Sequence, residues 1–140
     1  MSHTLVNYYF GGRQGLLTAA YALTIAPHEV VAASRDRSGR LDPAVLIARL
    51  VAVWEQPVHR EALTGFARQA VGGEGRDVVV DYLQRAVFAE FVAELGIARG
   101  RRLGITIVGT IVARYLLELP GLAAAPADDV VRLMRATAGC

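Results

Sequence analysis

Groups able to do nucleophilic, acid–base or metal chemistry are few in this chain, and they stand apart. The three histidines, His3, His28 and His59, fall in different segments, and the one cysteine, Cys140, is the last residue. A transition-metal site needs three or four such ligands at close, regular spacing. That spacing is absent, so no metal and no cofactor are expected. The adjacent carboxylates Asp128-Asp129 follow Pro126 and read as the first turn of a helix, where negative charge complements the helix dipole. Ser2 and Ser34 have no histidine placed to act as a base. Gly72-Gly73-Glu74-Gly75 lacks the preceding strand that a phosphate-cradling loop requires. The chain is not expected to be an enzyme.

The N-terminus suits a different chemistry. A helix that reads the edges of bases needs short polar residues at its start and aromatic or basic residues where it meets phosphates. Ser2, His3 and Thr4 fill the first role, and Tyr8, Tyr9 and Arg13 the second. The same spacing also suits an amphipathic helix whose tyrosines pack on a core. Spacing alone does not choose between them.

The elements that must carry these groups are helical throughout, since no segment alternates with period two for long enough to make a strand. Ser2 caps a short helix to Phe10, and Gly11-Gly12 ends it. The next helix runs from Arg13 to about Ala33, bent or split by Pro27. Ser34–Leu41 is a polar loop. Asp42-Pro43 starts a helix with Leu46, Leu50, Val53 and Trp54 on one face. Pro57 starts another, with Leu63, Phe66, Ala67, Ala70 and Val71 inward. A longer helix spans Arg76 to Leu95, with Val79, Leu83, Ala86, Phe91 and Leu95 inward. Gly96 and Gly100 bracket a break before a helix from Arg101 to Leu119. That helix is apolar nearly all round and needs burial on more than one side. Arg114 and Glu118 stand four apart, the spacing of an ion pair. After Pro120-Gly121, Pro126 opens a last helix with Val130, Leu133, Met134 and Thr137 inward.

The totals agree with one all-α domain. Of 140 residues, 54% are hydrophobic and 20% charged, which leaves apolar area for self-association to hide. All fifteen basic residues are Arg, and they are scattered, so a net charge of +2 does not mark a nucleic-acid surface. The apolar run Leu103–Ala113 is shorter than the about 20 residues a membrane span needs, and a cytoplasmic, membrane-free protein is expected.

The run Leu5-Val6-Asn7-Tyr8-Tyr9-Phe10-Gly11-Gly12-Arg13-Gln14-Gly15-Leu16-Leu17 resembles the TetR family of bacterial transcriptional regulators. There it forms the end of the recognition helix and the start of the connecting helix. Leu50–Pro57, Ala67–Ala70, Gly109–Tyr115 and Glu118–Pro120 are similar to the C-terminal domain of one subgroup of that family. The resemblance implies a remnant of a helix-turn-helix head over residues 1–17, without the two helices that precede it in the family. Residues 18–140 would be a ligand-binding and dimerisation domain. DNA contacts would fall to Ser2, His3, Thr4, Tyr8, Tyr9 and Arg13, effective only with the missing helices in place. A homodimer through a four-helix bundle would use Leu103, Ile107, Ile111, Arg114, Val130 and Met134. A small apolar or amphipathic effector would lie among Trp54, Phe66, Tyr82, Phe88 and Phe91, with His59 or Arg68 as polar anchors. The expected function is an N-terminally truncated, effector-controlled repressor. The competing reading is a helical, dimeric ligand-binding or scaffold protein with no DNA role.

Overall fold

The computed structural model of the protein describes residues 26–73 and 75–140. Ser2, His3, Thr4, Tyr8, Tyr9 and Arg13, and the division at residue 17, lie outside them. Among the described residues the chain is helical, apart from one antiparallel bridge between Arg35 and Leu41.

Pro27 sits in the first turn of α1 (Pro27–Ala33), after Ala26 in a left-handed conformation at φ 43°. The proline therefore opens a helix, and the segment expected to precede it, Arg13 to residue 25, lies outside the described residues. In the following loop the Asp36 carboxylate accepts from the amides of Ser38 and Arg40. Asp42 then caps α2 (Pro43–Glu55), its carboxylate accepting from the amides of Ala44 and Val45. Caps of this kind contribute about 1 kcal/mol. Leu46, Ile47, Leu50, Val51 and Trp54 form the buried stripe of α2. Pro57 opens α3 (Pro57–Gly72), which buries Ala62, Leu63, Phe66 and Ala67. Val71, expected inward, is 65% exposed.

The two longer helices are not regular. The helix from Arg76 to Leu95 is built of α4 (Arg76–Leu83), a π-helical segment (Gln84–Phe88) and α5 (Ala89–Leu95). Its inward residues explain why. Val79, Leu83, Val87, Phe91 and Leu95 recur every fourth residue, and each belongs to the core or packs against it. In an α-helix of 3.6 residues per turn, a stride of four overshoots by about 40° and would carry the stripe off one face within a few turns. A wider turn with i→i+5 bonds restores the phase.

The same stride recurs in Leu103, Ile107, Ile111 and Tyr115. There α6 (Ile97–Thr110) runs into a second π-helical segment, Ile111–Leu116. The break before α6 falls at Gly96 alone (φ 85°), and Gly100 lies inside the helix. A Cβ at Gly100 would come within 2.9 Å of the Phe91 and Val92 backbone, so glycine is what lets α5 and α6 close into a tight hairpin. Helicity ends at Leu116, short of the expected Leu119. The short α7 (Pro120–Ala123) leads to α8 (Ala127–Ala138), which packs on α2 and α6. Val130, Met134 and Ala138 face inward, whereas Leu133 is 52% exposed and Thr137 is exposed.

Candidate functional site

Where α1, α2, α3, the first π-helical segment and α6 converge, the core leaves a cavity of about 60 Å³. Side chains from both long helices reach it because the wide turns aim them there. Trp54 from α2, Phe66 from α3, and Phe88 and Phe91 from the π segment and α5 supply aromatic walls. Phe88 and Phe91 meet edge to face, with ring centroids 5.7 Å apart, a favoured aromatic arrangement. Pro27 and Val31 of α1 close one side. The side chains around the cavity are otherwise aliphatic, so it offers an apolar ligand dispersion contacts and no ion partner.

Phe88 and Val108 also line a second space, an open groove of about 680 Å³ beside Gln84, Val92 and Gly104. A Cβ at Gly104 would fall 2.7 Å from Cε1 of Phe88. The ring thus lies flush on the bare face of α6, between the cavity and the groove.

The structure gathers Trp54, Phe66, Phe88 and Phe91 as expected from their type. Tyr82 stands just outside. Its ring packs edge-on to Phe66, with centroids 6.4 Å apart, and its hydroxyl shares a 2.6 Å hydrogen bond with Nδ1 of His28 on α1. Burial pushes the Tyr82 phenol above its ordinary range. The two proposed polar anchors are elsewhere. His59 donates from Nδ1 to the Val53 carbonyl at 3.2 Å and faces a different groove, between α1 and α2. Arg68 is exposed on α3. Sequence reasoning missed the contribution of α1 through Pro27 and Val31, since nothing distinguishes those residues from ordinary core.

The second π-helical segment carries the polar counterpart of this site. Arg114 is only 5% exposed. Its Nη2 and Nε donate to Oε1 of Glu55 at 2.6 and 3.1 Å, and Nη1 donates to the carbonyls of Leu122 and Ala125 at the end of α7. The Tyr115 hydroxyl donates to the same Glu55 oxygen at 2.8 Å. The pairing expected with Glu118 does not form. Glu118 lies beyond the helix end at φ 51°, and the Arg114 side chain turns inward to α2. Burial opposes ionisation of both Arg114 and Glu55, but their mutual hydrogen bonds and charges prevail, raising Arg114 and lowering Glu55. Burial, followed by the hydrogen bond to Glu55, pushes the Tyr115 phenol up to about 12.

The residues assigned to a dimer contact are placed differently from that assignment. Leu103, Ile107, Val130, Met134 and Arg114 are buried within the protomer, and Ile111 is partly so. What α6 and α8 leave outside is Ile105 (72% exposed), Gly109, Leu133 and Thr137, which border a groove of about 220 Å³ between the two helices. Among the described residues no group of three His, Cys, Asp or Glu side chains gathers, and no helix is long and apolar enough to cross a membrane.

Residues 43–138, from the first residue of α2 to the last of α8, match the family model of the tetracyclin repressor-like C-terminal domain. No curated protein and no solved structure matches the chain significantly. Family match and all-helical architecture agree, and the chain belongs to the TetR-like family through its C-terminal domain.

Proposed function

We propose that the protein is a transcriptional regulator, acting as a repressor, whose C-terminal domain binds a small apolar effector and forms a homodimer. The observation that carries this reading is the position of the cavity. It touches α1 through Pro27 and Val31, and α1 is the described helix nearest the N-terminal segment. A ligand that fills the cavity therefore presses on the element through which an N-terminal DNA-binding head would be held. Coupling of this kind is typically worth about 1–3 kcal/mol and acts equally in both directions.

The chain contains one tryptophan, Trp54, and it lines the cavity, so its fluorescence reports occupancy directly. Screening small neutral apolar compounds should give saturable changes in Trp54 emission together with a raised melting temperature. Charged compounds of the same size should give neither. If no neutral compound changes both signals, the effector reading fails.

For the dimer, the exposed residues Ile105, Gly109, Leu133 and Thr137 present the contact that the buried ones cannot. Sedimentation equilibrium should give a dimer, and Ile105→Arg a folded monomer. A wild-type monomer at micromolar concentration would overturn the dimer.

Operator contact through Ser2, His3, Thr4, Tyr8, Tyr9 and Arg13 is proposed for a polypeptide in which two preceding helices support them. Gel shifts should compare the 140-residue chain with one extended by the in-frame upstream codons. Specific binding by the extended chain supports the regulator. Its absence from both favours a ligand-binding protein with no DNA role.

A further inference from the structure

We propose that the ring of Phe88 is the gate of the cavity, standing in the place of a neutral, single-ring-sized apolar ligand that reaches the cavity from the groove beside α6. This proposal rests on the reading of the cavity as an effector site. Three independent features of the structure support it.

The first is position. Phe88 and Val108 border both the smaller cavity of about 60 Å³ and the open groove of about 680 Å³, so one side chain from each long helix stands between the two spaces. The second is freedom to move. Phe88 is half-buried, and it ends a π-helical segment, a distortion that often marks functional positions. It rests against Gly104, which offers no side chain to lock it there. The third is volume. The cavity is too small for a ring as it stands, since a dry apolar cavity of about 150 Å³ is of the size that takes benzene. Swinging the Phe88 ring into the groove adds the space of one benzene ring and brings the cavity to that order. The ligand then meets Phe91, which the ring leaves, and the other walls of the cavity, among them Trp54 and Ile107. With carbon walls, an ion would lose its hydration without compensation, which restricts the ligand to neutral apolar molecules.

The test uses iodobenzene, whose heavy atom quenches tryptophan emission on contact, with iodide ion as the charged comparison. In the wild-type protein iodobenzene should quench Trp54 saturably, and iodide should not. In stopped-flow measurements the wild-type rate should level off as iodobenzene concentration rises, because opening limits access. In Phe88→Ala the rate should rise linearly and exceed the wild-type plateau at least ~10-fold, as expected once binding no longer waits on a conformational step. Phe88→Leu keeps an apolar side chain at the position but lacks the ring. It serves as the second variant if alanine compromises folding, and it should also lift the plateau. Saturable quenching with rates that are the same in wild type and both variants would overturn the gate and leave the effector site standing. Absence of saturable quenching in all three proteins would overturn the effector site itself.

Discussion

The two π-helical segments arise from the same sequence habit and are held in opposite ways. Both interrupt a helix whose apolar residues recur every fourth position, and both bring side chains to the centre of the domain. Around Ile111–Leu116 the inward side chains of Arg114 and Tyr115 are held by polar partners. Arg114 spreads its donors over Glu55 and the end of α7, Tyr115 shares the same carboxylate, and the Trp54 ring packs edge-on to Tyr115 at 5.7 Å. Around Gln84–Phe88 the space is left open, with a cavity on one side of Phe88, a groove on the other and a glycine beneath it. An underwound turn is thus neither rigid nor mobile in itself. Its neighbours decide, and here charge-assisted hydrogen bonds fix one turn while empty volume frees the other.

The largest consequence is expected at Arg114. Arg114→Met would leave the carbonyls of Leu122 and Ala125 without their donor and take one of three donors from Glu55, which keeps Tyr115 and Arg60. A buried acceptor left without its donor typically costs about 1–3 kcal/mol, and here two carbonyls lose theirs. Urea denaturation should show a loss of that order. A loss below about 1 kcal/mol, the range of an exposed pair, would mean that the second π-helical segment is not pinned by this network.

The same network sets the alkaline limit. The Tyr115 phenol titrates near its ordinary 10.0 in the unfolded chain and at about 12 in the folded one. Its folded value is raised, so its contribution is whole below pH 10 and is lost as pH climbs through about 12. A shift of that size corresponds to roughly 2–3 kcal/mol. Glu55 works at the other end. Its folded value is lowered, so its contribution is present above the ordinary carboxylate value of 4.5 and fades as pH falls below it. In denaturation curves between pH 9 and 12, Tyr115→Phe should remove most of the alkaline decline. An unchanged decline would place the sensitive group elsewhere.

Much of this architecture was legible from residue types. Asp42-Pro43 announced α2, Pro27 marked a boundary, and the glycines near 96 announced the turn between the long helices. These signals are local, depending on caps and dihedrals that each residue carries with it. The π-helical segments stay hidden wherever spacings of three and of four count equally toward one helical face. An unbroken stride of four, as in Leu103, Ile107, Ile111 and Tyr115, is the signal that would have revealed them. The partner of Arg114 was not legible, because Glu55 lies 59 positions away and only the packing of α2 on the second long helix brings it near. The aromatic walls of the cavity could be named from side-chain type. The outer faces of α6 and α8 could not, since Ile105 and Ile107 differ in nothing but helical phase.

The glycines of α6 offer a sharper comparison. Alanine at Gly100 would meet the backbone of Phe91 and Val92 at 2.9 Å, and backbone in a tight hairpin cannot step aside cheaply. Alanine at Gly104 would meet the edge of the Phe88 ring, which has open space beside it. Each substitution gains about 1 kcal/mol of helix propensity. Overpacking at position 100 should cost about 1–3 kcal/mol and outweigh the gain, whereas at position 104 the two should nearly cancel. Equal losses at both sites would show that the Phe88 ring is as firmly held as backbone.

The smallest effect belongs to the outer support of the open segment. α5, immediately after Phe88, is tied to the α1–α2 loop by Arg35, which reaches Glu94 at 2.6 Å and Glu90 at 3.0 Å. These groups are solvent-accessible, and the pairing holds the Glu94 carboxyl below its ordinary range, led by the hydrogen bond from Arg35. Accessible pairs are screened when the Debye length shrinks to about 3 Å in about 1 M salt. Arg35→Gln should therefore lower the melting temperature slightly at low ionic strength, and the difference from wild type should vanish in high salt. The deficit of Arg114→Met should survive the same treatment, because the Arg114 guanidinium itself is shielded from solvent ions. If the Arg35 difference also persists in high salt, both long helices are anchored by buried charge, and the contrast between the two π-helical segments rests on the empty volume around Phe88 alone.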